Sequence, residues 1–88
     1  MEREDLRKKL LDLIEEETWE RPTAFEDGVQ LREELELDSV DMLSVSLRAE
    51  EQLGISMGSG DFVGLETVGD LLNKIQAKLA AKGQSKAA

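Results

Sequence analysis

Apolar residues recur with helical spacing in three segments of the chain, which predicts three amphipathic helices. The first segment runs from about Glu2 to Glu17, the second from about Ser39 to Leu53 and the third from about Val68 to Ala81. The apolar residues of these segments are Leu6, Leu10, Leu13 and Ile14; Met42, Leu43, Val45, Leu47, Ala49 and Leu53; and Val68, Leu71, Leu72, Ile75 and Leu79. Residues three, four or seven positions apart share one helix face, so each segment can pack against a common core. The apolar surface of the second helix is wide, which is typical of a helix packed between two others.

Residues with known capping and helix-ending properties lie at the predicted boundaries. Pro22 follows the first segment, and proline disfavours helix in the residue before it. Asp38 is placed to accept hydrogen bonds from the first turn of the second helix, and Gly54 is suited to end that helix. Thr67 and Asp70 have the spacing of a capping box at the start of the third helix.

The connection from Thr18 to Leu37 is long for a small domain, so it must itself contribute to the core. Five of its apolar residues are expected to do this: Phe25, Val29, Leu31, Leu35 and Leu37. Trp19 is expected to be partly buried at the end of the first helix. The second connection is rich in glycine and is expected to contain one weak helical turn from Asp61 to Leu65.

These elements predict an all-α fold, a small three-to-four-helix bundle with a long first loop. We expect one domain over residues 1–82, followed by a polar, disordered tail over residues 83–88.

Composition narrows the possible functions. The 88 residues include 20 acidic and 11 basic ones, so the net charge is −9, and there is neither cysteine nor histidine. Disulfides, thiolate metal sites and a cysteine nucleophile are therefore excluded, and the usual general base is missing. We expect no metal site and no catalytic activity in this chain. A strong negative charge disfavours nucleic acid and favours basic protein surfaces. The charged start of the chain and the lack of a long apolar run predict a cytoplasmic protein without a membrane span.

The segment from Leu35 to Asp41 reads L-E-L-D-S-V-D and places Ser39 at the start of the second helix. A serine at this position is most often only a capping residue. Here, however, a helix of about fifteen residues follows, and then the segment T-V-G-D-L from Thr67 to Leu71. This order of elements and motifs resembles the acyl carrier protein family over nearly the whole chain, from Leu6 to Leu79.

The resemblance implies that Ser39 carries a covalent 4′-phosphopantetheine arm and that Asp38 is recognised by the phosphopantetheinyl transferase. It implies a monomeric, non-catalytic carrier of acyl thioesters in fatty-acid, polyketide or related biosynthesis. The implied partners, besides the transferase, are an acyl-loading ligase or transferase and a ketosynthase or related enzyme. A phosphodiester at a helix N-terminus is favoured by the free amides there, although Asp38 and Asp41 place like charge nearby.

The second helix would provide the docking surface for partner enzymes. Its candidate docking residues are Val40, Asp41, Ser44, Arg48, Glu50 and Glu51. Fatty-acid carriers are strongly acidic along this helix, so Ser44 and Arg48 suggest a specialised carrier with dedicated partners. Six apolar residues are candidates for an acyl pocket, or else belong to the ordinary core: Met42, Leu43, Leu47, Met57, Phe62 and Leu65. Glu36 departs from the glycine that the family often has before the D-S pair.

Three other functions are weighed against the carrier. An unmodified acidic adaptor that binds a basic partner fits everything except the context of Ser39. A calcium-binding helix–loop–helix is disfavoured because a loop starting at Asp38 has Val40 at its third position and Leu43 at its sixth, where a ligand and a glycine are needed. A hydrolase that uses paired acids would need a substrate cleft, for which so short a chain offers little room.

Overall fold

The computed structural model consists of three α-helices that pack around one apolar core. It describes the backbone of residues 2–62 and 64–87, and the side chains of the same residues apart from 59, 62 and 82–87. Helix α1 is Arg3–Thr18, α2 is Ser39–Leu53 and α3 is Val68–Ala87, with a 3₁₀ helix at Ser59–Phe62 before α3. The described backbone contains no β-strand, and the predicted all-α bundle with a long first loop is confirmed.

The predicted inner faces of α1 and α3 form most of the core. Eight of their residues are at most 2% exposed: Leu6, Leu10, Leu13 and Ile14 of α1, and Val68, Leu71, Leu72 and Ile75 of α3. Burying a side chain of this size stabilises the fold by about 1.5–3 kcal/mol before the loss of conformational entropy is counted. No helix in the described part of the chain is long and apolar enough to cross a membrane.

The long first loop is part of the core, as the sequence predicted. Phe25, Val29, Leu31 and Leu37 are buried, and Leu35 packs partly against them. Backbone hydrogen bonds tie the same loop to the start of α3. The amide of Leu31 donates to the carbonyl of Glu66 at 2.9 Å, and the amide of Val68 donates to the carbonyl of Val29 at 2.9 Å. The loop has no regular secondary structure, but buried side chains attach it to the core and backbone hydrogen bonds attach it to the start of α3.

Asp27 joins three elements at one end of the bundle. Its carboxylate accepts hydrogen bonds from Arg3 at 2.9 Å and from Arg7 at 2.6 Å, both on α1. Its carbonyl accepts from the amide of Gly69, near the start of α3, at 2.9 Å. Hydrogen bonding to Arg7, and then to Arg3, lowers the pKa of the Asp27 carboxyl below its ordinary value.

Helix α2 buries only one of its two apolar stripes. The buried face consists of Met42, Val45, Ser46, Ala49 and Leu53. Leu43 and Leu47 are 52% and 51% exposed, so the expectation that they line the core is wrong. They lie on a second stripe with Val40, at spacings of three and four residues, and the helix is covered on one side only.

Trp19 is 90% exposed, which contradicts the expectation that it is partly buried. It caps α1 in the left-handed conformation, with φ of 67°, and its amide donates to the carbonyl of Glu15 at 2.8 Å. Position 19 is five residues beyond Ile14, which is a rotation of roughly 140° from the buried face. The indole is thus directed away from the core.

Two boundaries differ from the prediction. Helix α3 continues to Ala87, six residues beyond the predicted end at Ala81. Gly83 lowers helix stability by only about 1 kcal/mol relative to alanine, and the neighbouring alanines and lysines favour helix, so the helix can continue past it. The division into a carrier domain, 1–82, and a disordered tail, 83–88, stays a prediction. The turn expected from Asp61 to Leu65 is observed two residues earlier, as the 3₁₀ helix Ser59–Phe62.

Candidate functional site

Ser39 lies at the first position of α2 with its side chain exposed. Asp38 caps the helix, as predicted, because its carboxylate accepts a hydrogen bond from the amide of Asp41 at 2.8 Å. Asp41 returns the contact, since its carboxylate accepts from the amide of Asp38 at 3.3 Å. This reciprocal capping box fixes where α2 begins and holds both aspartates on the backbone. The sequence predicted the role of Asp38, but the return contact of Asp41 was not foreseen.

The residues just before Ser39 place it at the surface. Leu37 is 1% exposed, and its amide donates to the carbonyl of Leu31 at 2.9 Å. Because Leu37 is fixed in the core, the chain leaves the interior there, and Asp38 and Ser39 both face solvent. Glu36 takes a left-handed conformation with φ of 55°, which explains why glycine suits this position.

Arg32 is a neighbour of Ser39 that sequence reasoning missed. The Nη2 of Arg32 donates a hydrogen bond to the Oγ of Ser39 at 3.2 Å. These two residues line an open cavity of about 370 Å³ with Glu36, Leu37 and Asp38. Arg32 is seven positions before Ser39 in an irregular loop, so no helical or strand spacing connects them in the sequence.

The geometry suits a modification that another enzyme installs. Within the described residues, the amides of Ser39 and Val40 have no hydrogen-bond partner, and amides at a helix N-terminus favour an anionic group. A phosphodiester therefore fits this site: the hydroxyl is exposed, the cavity beside it is open, and free amides and a guanidinium lie nearby. Neither histidine nor lysine contacts Ser39 among the described residues, so the site itself has no evident base to activate the hydroxyl. The described residues also contain no cluster of potential metal ligands.

Comparison with known proteins identifies the family. The family model described as "Phosphopantetheine attachment site" matches residues 8–75, which is most of the chain and includes Ser39. The chain belongs to the acyl carrier protein family. It is 31% identical over 80 residues to an acyl carrier protein of Rhodococcus erythropolis, covering 91% of this chain and 87% of that protein.

Two further relatives show the range of the similarity. An acyl carrier protein of Renibacterium salmoninarum is 30% identical over 77 residues, covering 88% of this chain and 95% of the relative. A meromycolate extension acyl carrier protein of Mycolicibacterium smegmatis is 30% identical over 73 residues, covering 83% and 74%. Membership makes the protein a non-catalytic carrier with 4′-phosphopantetheine as its cofactor. It acts with the enzymes of a biosynthetic pathway.

The predicted docking residues of this carrier differ from one another in exposure and in hydrogen-bond partners. Val40 is exposed, as is Glu51, while Asp41 and Ser44 are half-buried. Arg48 donates to Glu17 at 3.2 Å and to Glu16 at 3.1 Å, so its charge is shared with the end of α1.

Glu50 is also engaged within the molecule. Its carboxylate accepts a hydrogen bond from the amide of Met57 at 2.6 Å. This contact holds the chain after α2 against the helix, and it leaves less of Glu50 available to a partner than of Glu51.

The six candidates for an acyl pocket differ in their burial. Met42 and Met57 are buried in the core, and Leu65 packs partly against it. Leu43 and Leu47 lie on the exposed stripe of α2 and are about half exposed, so a pocket formed by all six residues stays a prediction. The side chain of Phe62 lies outside the described residues.

Proposed function

We propose that Ser39 is the residue that carries the 4′-phosphopantetheine arm, through a phosphodiester on its Oγ. The single observation that carries this assignment is the exposed Ser39 hydroxyl, in the D-S-V-D motif at the capped start of α2. The arm supplies a thiol that holds acyl groups as thioesters. The residues of this chain contribute a fixed, accessible hydroxyl: Leu37 holds the preceding loop in the core, and Asp38 with Asp41 fixes the first turn of the helix.

Intact mass spectrometry tests the attachment. We expect co-expression with a broad-specificity phosphopantetheinyl transferase to add about 340 Da to the protein, the mass of one arm. Ser39→Ala should abolish the gain, and Ser56→Ala, at an exposed serine in the connection after α2, should leave it intact. If several transferases add no mass to folded protein, the assignment fails and the alternative, an unmodified acidic adaptor, is favoured.

We propose that Asp38 is also read by the transferase. Its capping role and its charge can be separated, because asparagine caps a helix about as well as aspartate. Asp38→Ala should lower the free energy of unfolding by about 1 kcal/mol, whereas Asp38→Asn should leave it nearly unchanged. If the charge is recognised, both variants are modified slowly. Wild-type rates for folded Asp38→Asn would limit Asp38 to capping.

The exposed stripe of α2 supports a proposal for the docking surface. Val40, Leu43 and Leu47 form an apolar ridge that begins beside Ser39, and Asp41 and Glu51 provide acidic groups on the same helix. Such a surface fits a partner with an apolar groove and a basic rim. Leu47→Ser should raise KM for a partner enzyme several-fold and leave the fold intact, while an unchanged KM with every partner tested would remove the ridge from docking.

Ser44 and Arg48 differ from the strongly acidic second helix of fatty-acid carriers, and this difference supports the narrower proposal of a specialised carrier. Because Arg48 neutralises part of the acidic surface and pairs with α1, partners selected for a uniformly acidic helix should dock less well. We place this carrier in the cytoplasm as a monomer, with an acyl-loading ligase or transferase and a ketosynthase or related enzyme as partners.

We propose that any sequestered acyl chain lies beside Met42, Met57 and Leu65, since the two methionines belong to the core and Leu65 packs partly against it. A Tm that rises with acyl chain length supports this, because buried methylene groups stabilise the folded state. A Tm that is independent of chain length excludes it.

A further inference from the structure

Arg32 differs from the other arginines of the chain in its partner. The other four pair with carboxylates at 3.4 Å or less: Arg3 and Arg7 with Asp27, Arg7 also with Glu4, Arg21 with Asp12 and Glu15, and Arg48 with Glu16 and Glu17. Arg32 pairs with no carboxylate among the described residues, and its guanidinium instead donates to the hydroxyl of Ser39 at 3.2 Å.

This choice of partner is unexpected in so acidic a segment. Glu33, Glu34 and Glu36 are neighbours of Arg32 along the chain, and Asp38 lines the same cavity. Two of these acids have other partners: Glu34 accepts a hydrogen bond from the amide of Gln30 at 2.7 Å, and Asp38 caps α2. A guanidinium directed at a neutral hydroxyl gains less than one directed at an anion, so the arrangement is best satisfied when the serine oxygen carries an anionic group.

We propose that Arg32 binds the phosphodiester of the prosthetic group on Ser39 and, with the free amides of Ser39 and Val40, forms its phosphate subsite. This inference rests on the proposed attachment at Ser39. Esterification of Oγ places a phosphate monoanion beside the guanidinium, and an ion pair with the phosphate replaces the hydrogen bond to a neutral hydroxyl. A planar guanidinium is suited to phosphate because two of its N–H groups can meet two oxygens.

The subsite resolves an electrostatic difficulty. The unmodified chain has a net charge of −9, and the arm adds one further negative charge next to Asp38 and Asp41. Without a cation, this addition would increase the local repulsion and lower the stability of the modified form. Among the side chains that the structure describes, Arg32 is the basic one in contact with Ser39, and it offsets the added charge.

The test compares the modified and unmodified forms of each variant, in the absence of any partner enzyme. The variants are Arg32→Gln, Arg32→Lys and the control Lys8→Gln. The control Lys8→Gln makes the same change in net charge as Arg32→Gln. Lys8 is an exposed residue of α1, ten residues or about 15 Å along the helix from Thr18, the last residue of that helix. For each protein we would measure the shift in Tm on modification at low and high salt, and the 31P chemical shift of the phosphodiester.

At low salt, Arg32→Gln should make the shift in Tm on modification more negative than that of wild type by about 1–4 °C. High salt should reduce the difference, because exposed ion pairs are screened. Arg32→Lys should give an intermediate value, Lys8→Gln should match wild type, and only substitutions at Arg32 should move the 31P resonance.

A second measurement needs no modified variant. The guanidinium resonances of Arg32, assigned in unmodified protein by their loss in Arg32→Gln, should move when the wild-type protein is modified. If they stay in place, or if Arg32→Gln and Lys8→Gln give equal Tm shifts and equal 31P resonances, the inference is overturned. The attachment itself is judged separately, by the gain in mass at Ser39, so either proposal can fail without the other.

Discussion

The backbone of Trp19 is strained, and replacing this residue with glycine should therefore stabilise the protein. Its side chain is 90% exposed, so removing it sacrifices very little buried surface. Its backbone has φ of 67°, a left-handed conformation that disfavours a residue with a Cβ by roughly 1–2 kcal/mol. Glycine adopts this conformation freely and is the preferred residue where a helix ends in this way.

The expected magnitude follows from two opposing effects. Removing the Cβ relieves about 1–2 kcal/mol of strain, while the greater freedom of glycine in the unfolded chain costs about 0.4–1 kcal/mol. Trp19→Gly should therefore raise the free energy of unfolding by about 0.8 kcal/mol, the centre of a range of about 0–1.6 kcal/mol, and the central value corresponds to an increase in Tm of about 3–6 °C for a domain of this size. The hydrogen bond from the amide of residue 19 to Glu15 is a backbone contact and is retained.

Trp19→Ala is the matched control. It removes the indole but keeps the Cβ, so the strain remains and the stability should change by less than about 0.5 kcal/mol. Thermal and urea denaturation followed by circular dichroism provide the comparison, since Trp19 is the one tryptophan of the chain and its fluorescence is lost in both variants. Equal stabilities for the glycine and alanine variants, or a loss of stability with glycine, would refute the reasoning.

Three further predictions concern the rest of the fold. Val45→Ala should lower the free energy of unfolding by about 2 kcal/mol because Val45 is buried, whereas Leu47→Ala should change it by less than about 0.5 kcal/mol. Urea denaturation measures both, and equal losses of stability would contradict the description of α2 as buried on one face and exposed on the other. Gly69→Ala should destabilise the protein by about 1 kcal/mol, although alanine favours helix. The new Cβ would lie 3.1 Å from both the Cβ and the carbonyl oxygen of Asp27. A variant as stable as wild type would show that the loop containing Asp27 moves aside. Three carboxyls have pKa values lowered below the ordinary 3.8 by hydrogen bonds: Asp27, Asp61 and Asp70. Their contribution to stability is present above pH 3.8 and is lost as the pH falls through their lowered values, so denaturation midpoints should decrease in that acidic range, and midpoints that stay constant there would contradict it.

The sequence was sufficient to predict the parts of the fold that depend on short-range spacing. The buried faces of α1 and α3 follow from leucine and isoleucine at helical intervals, and the caps at Asp38, Gly54 and Thr67 follow from residue types at helix ends. The stabilising role of the long loop was also predictable, because so many of its residues are apolar.

Other features depend on information that spacing does not contain. Met42 and Leu43 are one residue, or about 100°, apart on α2, and periodicity alone cannot decide which of their stripes the neighbouring helices cover. The contact of Arg32 with Ser39 depends on the path of an irregular loop. The left-handed backbone at Glu36 and Trp19 also could not be read from residues that rarely adopt it.

The capping box and Arg32 together explain how an acidic segment can hold an anionic modification. Asp38 and Asp41 are each bonded to the backbone amide of the other, so their carboxylates are fixed by the helix rather than directed at the Ser39 hydroxyl. That arrangement uses the amides of residues 38 and 41 and leaves those of Ser39 and Val40 for another acceptor. The two acids thereby define the start of the helix. In the proposed subsite the phosphate would be bound by the two free amides and by Arg32, so helix capping and cofactor binding would depend on different groups.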